Sequence, residues 1–325
     1  METKKALREI SNEIHKPFKK KFDRRKVLTN GKNDVWAMDL VDMSEWADDN
    51  KGYKFMLNII DCFTRYAWCV PLKDKTAKSV LFAFKQVVDN NGAPKRIWVD
   101  EGKEFYNKDM DKYIAEKKII RYSTYGDHKA SMVERFNRTL KTWMWKEFTA
   151  DQTRNWIDMI DSLMIKYNTH LHSSIGMTPT EAKMLDDKGE EKLWTKLYGN
   201  TTLVPSKRKK TKFKLGDTVR ISRIKGQFEK GYLPNWSTEI FKVVKIIHSD
   251  PVVYGLEDSG HEEVKGTFYD AELMKTKQKN EYLVEKSLKT RKVNGKKQYL
   301  VKWLGYPDKF NSWVNEEDFT HEFKQ

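Results

Sequence analysis

The chain has 325 residues, with 62 Lys and Arg against 47 Asp and Glu, a formal net charge of +15 and a mean hydropathy of −0.79. A hydrophobic content of 38% and 11 Trp are enough to build packed cores, which excludes wholesale disorder; no apolar run approaches the roughly 20 residues that cross a bilayer, so no membrane partner is expected. Met1-Glu-Thr-Lys-Lys carries no apolar signal core, and two cysteines make neither a disulfide framework nor a four-cysteine zinc site, so a reducing compartment without structural zinc is expected.

The charge is unevenly distributed. Residues 1–33 carry 11 basic and 4 acidic side chains, residues 34–200 carry 26 of each, residues 201–279 carry 16 and 10, and residues 280–325 carry 9 and 7. Basic flanks around a neutral centre suit a polyanion, most commonly nucleic acid, with a solvated surface as the plainer alternative.

The basic stretch His15–Lys26, with Phe18 and Phe22 four apart, fits either one helical turn or a loose arm. Three β-rich runs follow, Val35–Met43, Tyr53–Asp61 and Tyr66–Leu72, and predict an antiparallel meander. Helical spacing predicts a helix over Lys75–Asn90, then a strand at Arg96–Asp100, a helix over Asn107–Lys117 and a strand at Ile119–Ser123. Long helices are predicted over Ala130–Phe148 and Thr153–Asn168, and another starts with Thr178 as N-cap and Pro179 at the first helical position. Strands and helices in this order predict a mixed α/β architecture. The basic run 204–214 reads as a linker. Short strands at Asp217–Ile224, Glu239–Ile247, Val253–Glu257 and Glu262–Thr267 suggest a small β-barrel. After a second linker at Gln278–Asn280, two apolar runs flank Asn294-Gly295, a strong hairpin signal.

Three carboxylates stand out. Asp39 lies within the first strand in Trp36-Ala-Met-Asp-Leu-Val-Asp42, where alternation puts it on the face of Val35, Ala37 and Val41. Asp100 ends a strand ahead of Gly102, where α/β sheets place their sites. Glu134 sits early in a helix. Converging carboxylates can hold a pair of Mg²⁺ ions for phosphodiester chemistry. Taken singly, Asp39 also fits an edge strand, Asp100 a turn, and Glu134 a capping box with Ser131.

Together, Trp36-x-x-Asp39, Asp100-x-Gly102-x-Glu104-Phe105, Glu134-Arg-Phe-Asn137 with 33 residues between Asp100 and Glu134, and Tyr167-Asn-Thr-His through Thr178-Pro179 resemble the retroviral-type integrases. These form the DD(E) branch of the ribonuclease-H-like superfamily. The wording of Trp36–Met43, Asn58–Asp61, Lys129–Lys141, Phe228–Trp236 and Gly266–Tyr269 is most similar to integrases of Polinton/Maverick elements and virophages. The resemblance extends over nearly the whole chain beyond the first dozen residues. It implies a basic arm over 1–33, a ribonuclease-H-like core with a five-stranded mixed sheet over 34–200, a basic linker over 201–211, an SH3-like DNA-binding barrel over 212–277 and a chromodomain of three strands and a C-terminal helix over 280–325.

The resemblance further implies 3′-end processing and strand transfer of element or viral DNA, with Asp39, Asp100 and Glu134 as catalytic ligands of two Mg²⁺, replaceable by Mn²⁺. Arg138 and Lys141, four and seven residues past Glu134 on one helix face, match positions that contact donor DNA; Lys129 in the loop before them is expected to do the same. Lys207, Arg208, Lys209 and Lys210 in the linker, with Arg220, Arg223, Lys225 and Lys230 in the barrel, are expected on the DNA backbone. The tail resembles a chromodomain with Tyr282, Trp303 and Tyr306 as a methyl-lysine cage. Phe310 departs from the acidic residue often found there, and Trp313 reads as core. Retroviral relatives carry a His-His-Cys-Cys zinc domain, whereas here His15 is followed by no cysteine before Cys62. His170 and His172 read as packing residues, and Cys62 and Cys69 as buried thiols. Double-stranded DNA, a methylated histone tail, homo-tetramers, the host nucleus and packaging in a virus-like particle complete the implied picture. Against it stand a domesticated, catalytically inert DNA- or chromatin-binding protein, and a nuclease that cuts without joining.

Overall fold

The computed structural model describes residues 2–19, 21–25, 27–123, 131–199, 210–223, 233–278 and 282–318. The chain divides into two compact units. One is Lys26–Leu203; the other joins Met1–Arg25 to Val204–Gln325. No helix among the described residues is long and apolar enough to cross a membrane.

After an N-terminal helix α1 (Glu2–Ile14), the first unit opens with the expected meander: β1 (Val35–Asp42), β2 (Phe55–Asp61) and β3 (Ala67–Leu72). Helix α2 (Ala77–Asn91), strand β4 (Arg96–Trp98), helix α3 (Lys108–Glu116) and strand β5 (Ile120–Tyr122) follow. The sheet order is β3-β2-β1-β4-β5, antiparallel across the meander and parallel from β1 through β4 to β5. Alternation along β1 divides the core. Trp36 and Met38 pack with α2 and α3, while Val35, Ala37 and Val41 pack with α4 (Ser131–Ala150) and α5 (Ile160–Thr169).

The helix expected from Thr153 begins only at Ile160. A buried Asn50 explains the delay: its Oδ1 accepts from the N–H groups of Trp156 and Ile157 at 2.6 and 3.0 Å. Those donors therefore find a side-chain partner outside any helix. Helix α6 (Pro179–Lys183) carries the expected start, with a full capping box between Thr178 and Glu181. It ends after five residues, and a separate α7 (Asp187–Tyr198), N-capped by Asp186, completes the unit.

The second unit contains a five-stranded antiparallel sheet, β6 (Thr218–Ile221), β7 (Phe241–Ile247), β8 (Val253–Glu257), β9 (Glu263–Tyr269) and β10 (Leu273–Lys275), in the order β10-β6-β7-β8-β9. Its core is Phe213, Val219, Val243, Tyr254, Leu256 and Leu273. The tail forms β11 (Val284–Val293), β12 (Lys296–Trp303) and β13 (Ser312–Asn315), paired antiparallel in that order. Asn294 and Gly295 take φ of 51° and 77°, and Val293 pairs with Lys296, the two-residue turn with both central residues left-handed that matches the strand twist. Glu316–Asp318 form a 3₁₀ turn, and the rest of the expected C-terminal helix, residues 319–325, lies outside the described residues.

The first 33 residues do not form a single arm. Ile10 and Ile14 of α1 bury against Trp236, whose N–H, with that of Asn235, donates to the Ile14 carbonyl at 3.0 and 2.8 Å. Phe18 meets the Trp236 ring edge-on at 5.9 Å. Residues 27–33 belong instead to the other unit: Thr29 Oγ1 lies 2.9 Å from the Tyr198 hydroxyl, and Asn33 N–H donates to Asp61 at 2.6 Å.

Candidate active site and basic surfaces

Asp39 lies mid-strand on β1, directly opposite Asn58 of β2. Asn58 Nδ2 donates to Asn137 Oδ1 at 2.8 Å, and Asn137 Nδ2 donates to Asp39 Oδ2 at 2.7 Å. Asn58 and Asn137 are buried, so this relay ties one carboxylate oxygen of β1 to α4 through a dry interior. Sequence reasoning quoted both asparagines without assigning them a role; the available signal was a polar residue at a strand position flanked by Leu57 and Ile59.

Asp100 lies just past β4, its Oδ1 accepting from Gly102 N–H at 3.2 Å, so the turn reading and the site reading hold together. Glu134 is exposed near the start of the described part of α4, in which Ser131 is already helical and so is not an N-cap; residues 124–130 lie outside the described residues. Burial first, then the charge of Asp100 and, more weakly, that of Glu134 push the Asp39 pKa up to about 6. Asp100 and Glu134 are thus both electrostatic neighbours of Asp39.

An all-oxygen, multiply acidic edge has the donor chemistry of a hard divalent cation such as Mg²⁺, and a cation is what removes the repulsion that Asp39 feels. The residues fit such an ion in type. Among the described residues, no three His, Cys, Asp or Glu side chains are gathered tightly enough to enclose one.

Arg138 is exposed and Lys141 half-buried on the Glu134 face of α4. With Asp42, Trp46 and Trp145 they line a cavity of about 1000 Å³. Lys129 lies outside the described residues, as do Lys207, Arg208, Lys209, Lys225 and Lys230. Lys210 and Arg223 are exposed.

Arg220 is a correction. Its side chain is 0% exposed. Nε donates to Glu13 at 3.2 Å, Nη1 donates to the carbonyls of Ser237 and Thr238 at 2.9 and 2.8 Å, and Nη2 donates to Gln278. A guanidinium enclosed and saturated in this way fastens α1 to the sheet and does not reach a DNA backbone.

In the tail, the Tyr282 ring lies 5.7 Å from those of both Trp303 and Tyr306. Tyr282 is 40% exposed and Tyr306 only 6%. The Tyr306 hydroxyl accepts from Ile240 N–H at 3.3 Å, and Phe310 meets its ring edge-on at 5.8 Å. Trp313 is half-buried under the Arg291 guanidinium, 4.0 Å from the ring centroid. Lys309 bridges to Asp258 at 2.8 Å and to Glu262. Beside this seam, burial first and then repulsion from Asp258, opposed by Lys309, raise the Glu239 pKa to about 7. A carboxyl whose folded pKa exceeds its unfolded value binds more protons when folded, so this group withdraws stability as pH rises from about 4.5 to about 7. Replacing Glu239 with Gln should flatten that fall in a melting-temperature series across pH; an unchanged slope would remove Glu239 as its source.

His172 is half-buried and His170 exposed. Cys62 is buried and Cys69 half-buried, both as free thiols, and burial pushes the Cys62 pKa up to about 12.

Residues 29–125 match the family model of the integrase core domain, and residues 275–325 match that of the chromo (chromatin organisation modifier) domain. A transposon-derived protein of Caenorhabditis elegans is 33% identical over 200 residues, 61% of this chain and 65% of the relative. The Pol polyprotein of a radiation murine leukemia virus is 26% identical over 43% of this chain and 25% of its own length. The human Gypsy retrotransposon integrase-like protein 1 is 27% identical over 42% and 26%. The chain therefore spans just under two thirds of the worm relative and about a quarter of the other two. Among solved structures, a chain of the simian T-cell lymphotropic virus intasome in complex with PP2A regulatory subunit B56 gamma has the same fold, with a TM-score of 0.55, 14% identity and coverage of 80% of this chain and 83% of that one. One chain thus carries an integrase-type core of the ribonuclease-H-like fold, with a mixed five-stranded sheet, and a chromo domain.

Proposed function

We propose that this protein is a DNA integrase of a mobile element, most similar in wording to those of Polintons and virophages, which trims the 3′ ends of element DNA and joins them to host DNA. The observation that supports this reading is that the charges of Asp100 and Glu134 both act on the half-buried Asp39 of β1. Two Mg²⁺ bound there, or Mn²⁺ in their place, would supply an activated attacking oxygen and stabilisation of the leaving oxygen. The chain's own residues do the positioning. Asn58 and Asn137 fix the Asp39 carboxylate, and Arg138 and Lys141 hold the donor backbone beside Glu134. The exposed Lys210 and Arg223 give the five-stranded sheet, proposed as an SH3-like module, a salt-sensitive hold on DNA. Tyr282, Trp303 and Tyr306 would cage a methylated histone lysine by cation–π attraction, directing integration to chromatin in the nucleus. Assembly as a homo-oligomer would supply both element ends.

The test supplies duplexes bearing the element's terminal sequence, a target plasmid and Mg²⁺ or Mn²⁺. Joined products are expected; full DNA binding with no cut or joined product overturns the enzymatic reading in favour of an inert binding protein, and cutting without joining makes the protein a nuclease. Asn137→Ala removes both hydrogen bonds of the relay. It should weaken Mn²⁺ binding, followed by calorimetry, by about 10–100-fold while the fold is kept; unchanged affinity would make the relay purely structural.

A further inference from the structure

The core holds a second cluster of basic side chains, on a different flank of α4 from Glu134. A cavity of about 560 Å³ opens between the start of α4, the turn after β2 and the loop after α5. Arg65, Arg135, His170, His172, Ser131 and Ser174 line it, and among the described residues no carboxylate does. Arg135 lies one residue, about 100° of helix, round from Glu134, and it continues through Thr139 and Trp143 along a flank distinct from the Glu134–Arg138–Lys141 face.

Arg65 is held in place by its own turn. It has φ of 64°, in the left-handed region that a non-glycine residue seldom occupies, and its guanidinium donates to the Cys62 carbonyl and lies against Met132. Neither Arg65 nor Arg135 meets a carboxylate among the described residues. The half-buried His172 registers the consequence. Burial first, then Arg65, Arg135 and His170, push its pKa down to about 4, so at neutral pH it is an uncharged ring. Ser174 Oγ lies 3.1 Å from its Nδ1. Two guanidiniums that line one concave surface offer their N–H forks to an anion, and planar N–H forks match phosphate oxygens.

We propose that this cavity binds a phosphate group, with Arg65 and Arg135 as its charged ligands and His172 and the serine hydroxyls as neutral donors. The proposal does not depend on the catalytic reading, because an inert DNA-binding protein would retain the same cavity. Two sources carry the required chemistry, a DNA backbone and a small polyphosphate.

The probe is inorganic pyrophosphate, titrated calorimetrically into the full chain at neutral pH and low salt. Saturable binding at one site is expected, weakened about 10-fold or more by Arg135→Gln and further by Arg65→Gln with Arg135→Gln, and unaltered by Lys188→Gln, which removes the same charge from an exposed position on α7. Should the double variant fold poorly, the wild type gives an independent readout by histidine NMR: bound pyrophosphate should raise the His172 pKa toward its ordinary range. A wild type that takes up no pyrophosphate, or binding that the arginine variants leave intact, overturns the proposal. Duplex binding across a salt series separates the sources. A backbone phosphate at this site predicts a slope of log affinity against log salt that falls by about one per arginine removed; an unchanged slope with pyrophosphate binding lost assigns the cavity to a small polyphosphate.

Discussion

Asp100→Asn should reduce DNA joining by about 10³-fold or more while duplex binding changes by less than about twofold. Asparagine keeps the shape of the side chain and an oxygen to accept from Gly102 N–H, so the turn after β4 survives. What is lost is a negative charge that acts on the Asp39 carboxylate. Stabilisation of a transferring phosphodiester by bound cations amounts to several kcal/mol, and each 1.36 kcal/mol is a factor of about ten in rate. Removing an acid beside DNA phosphates does not weaken binding, so the two readouts separate. Joining within about tenfold of wild type would sink the assignment of Asp100. The same variant lowers the Asp39 pKa from about 6, because the charge of Asp100 is the largest influence after burial.

The second large effect concerns stability. Arg220→Ala should cost the C-terminal unit about 3–5 kcal/mol, the usual penalty for removing one partner from a buried ionic network. The loss strands Glu13 and two carbonyls, of Ser237 and Thr238, that the guanidinium now satisfies. Thr276 Oγ1 would still donate to Glu13 at 2.7 Å and recover part of the difference. Denaturant unfolding measures the loss. Duplex binding by the folded fraction should keep its salt dependence, since a wholly enclosed side chain neutralises no phosphate. A reduced salt slope without a stability change would restore Arg220 to the DNA-contact set.

The contrast between these residues shows what could be read in advance. Asp39 was legible because the period of two along Val35–Asp42 fixed its face before any partner was known. Asp100 was legible as the end of a short buried strand ahead of a glycine, and Thr178-Pro-Thr-Glu181 announced a helix start that formed as expected. Arg220 was misread because its burial depends on Glu13, 207 residues away. No local pattern distinguishes an arginine on a sheet's solvent face from one covered by a helix from the other end of the chain. Asn50 cut short the helix expected from Thr153 for the same reason, since its partners Trp156 and Ile157 lie more than 100 residues on. The relay through Asn58 and Asn137 was illegible because cross-strand and helix-to-sheet register had to be known before two asparagines could be joined. The Tyr282–Trp303–Tyr306 grouping was carried by resemblance alone; that Tyr306 turns its hydroxyl to Ile240, the residue just ahead of β7, could not have been read from the tail itself.

The docking of α1 on Trp236 and Arg220 has a consequence for how the molecule is made. Helix α1 finds its partners only after some two hundred further residues have been translated, so the segment Lys26–Leu203 has the opportunity to fold while α1 is still waiting. A chain interrupted shortly after residue 203 would hold a finished core and, beside it, a helix with Ile10 and Ile14 uncovered. Such a product exposes an apolar stripe that residues around Trp236 otherwise cover.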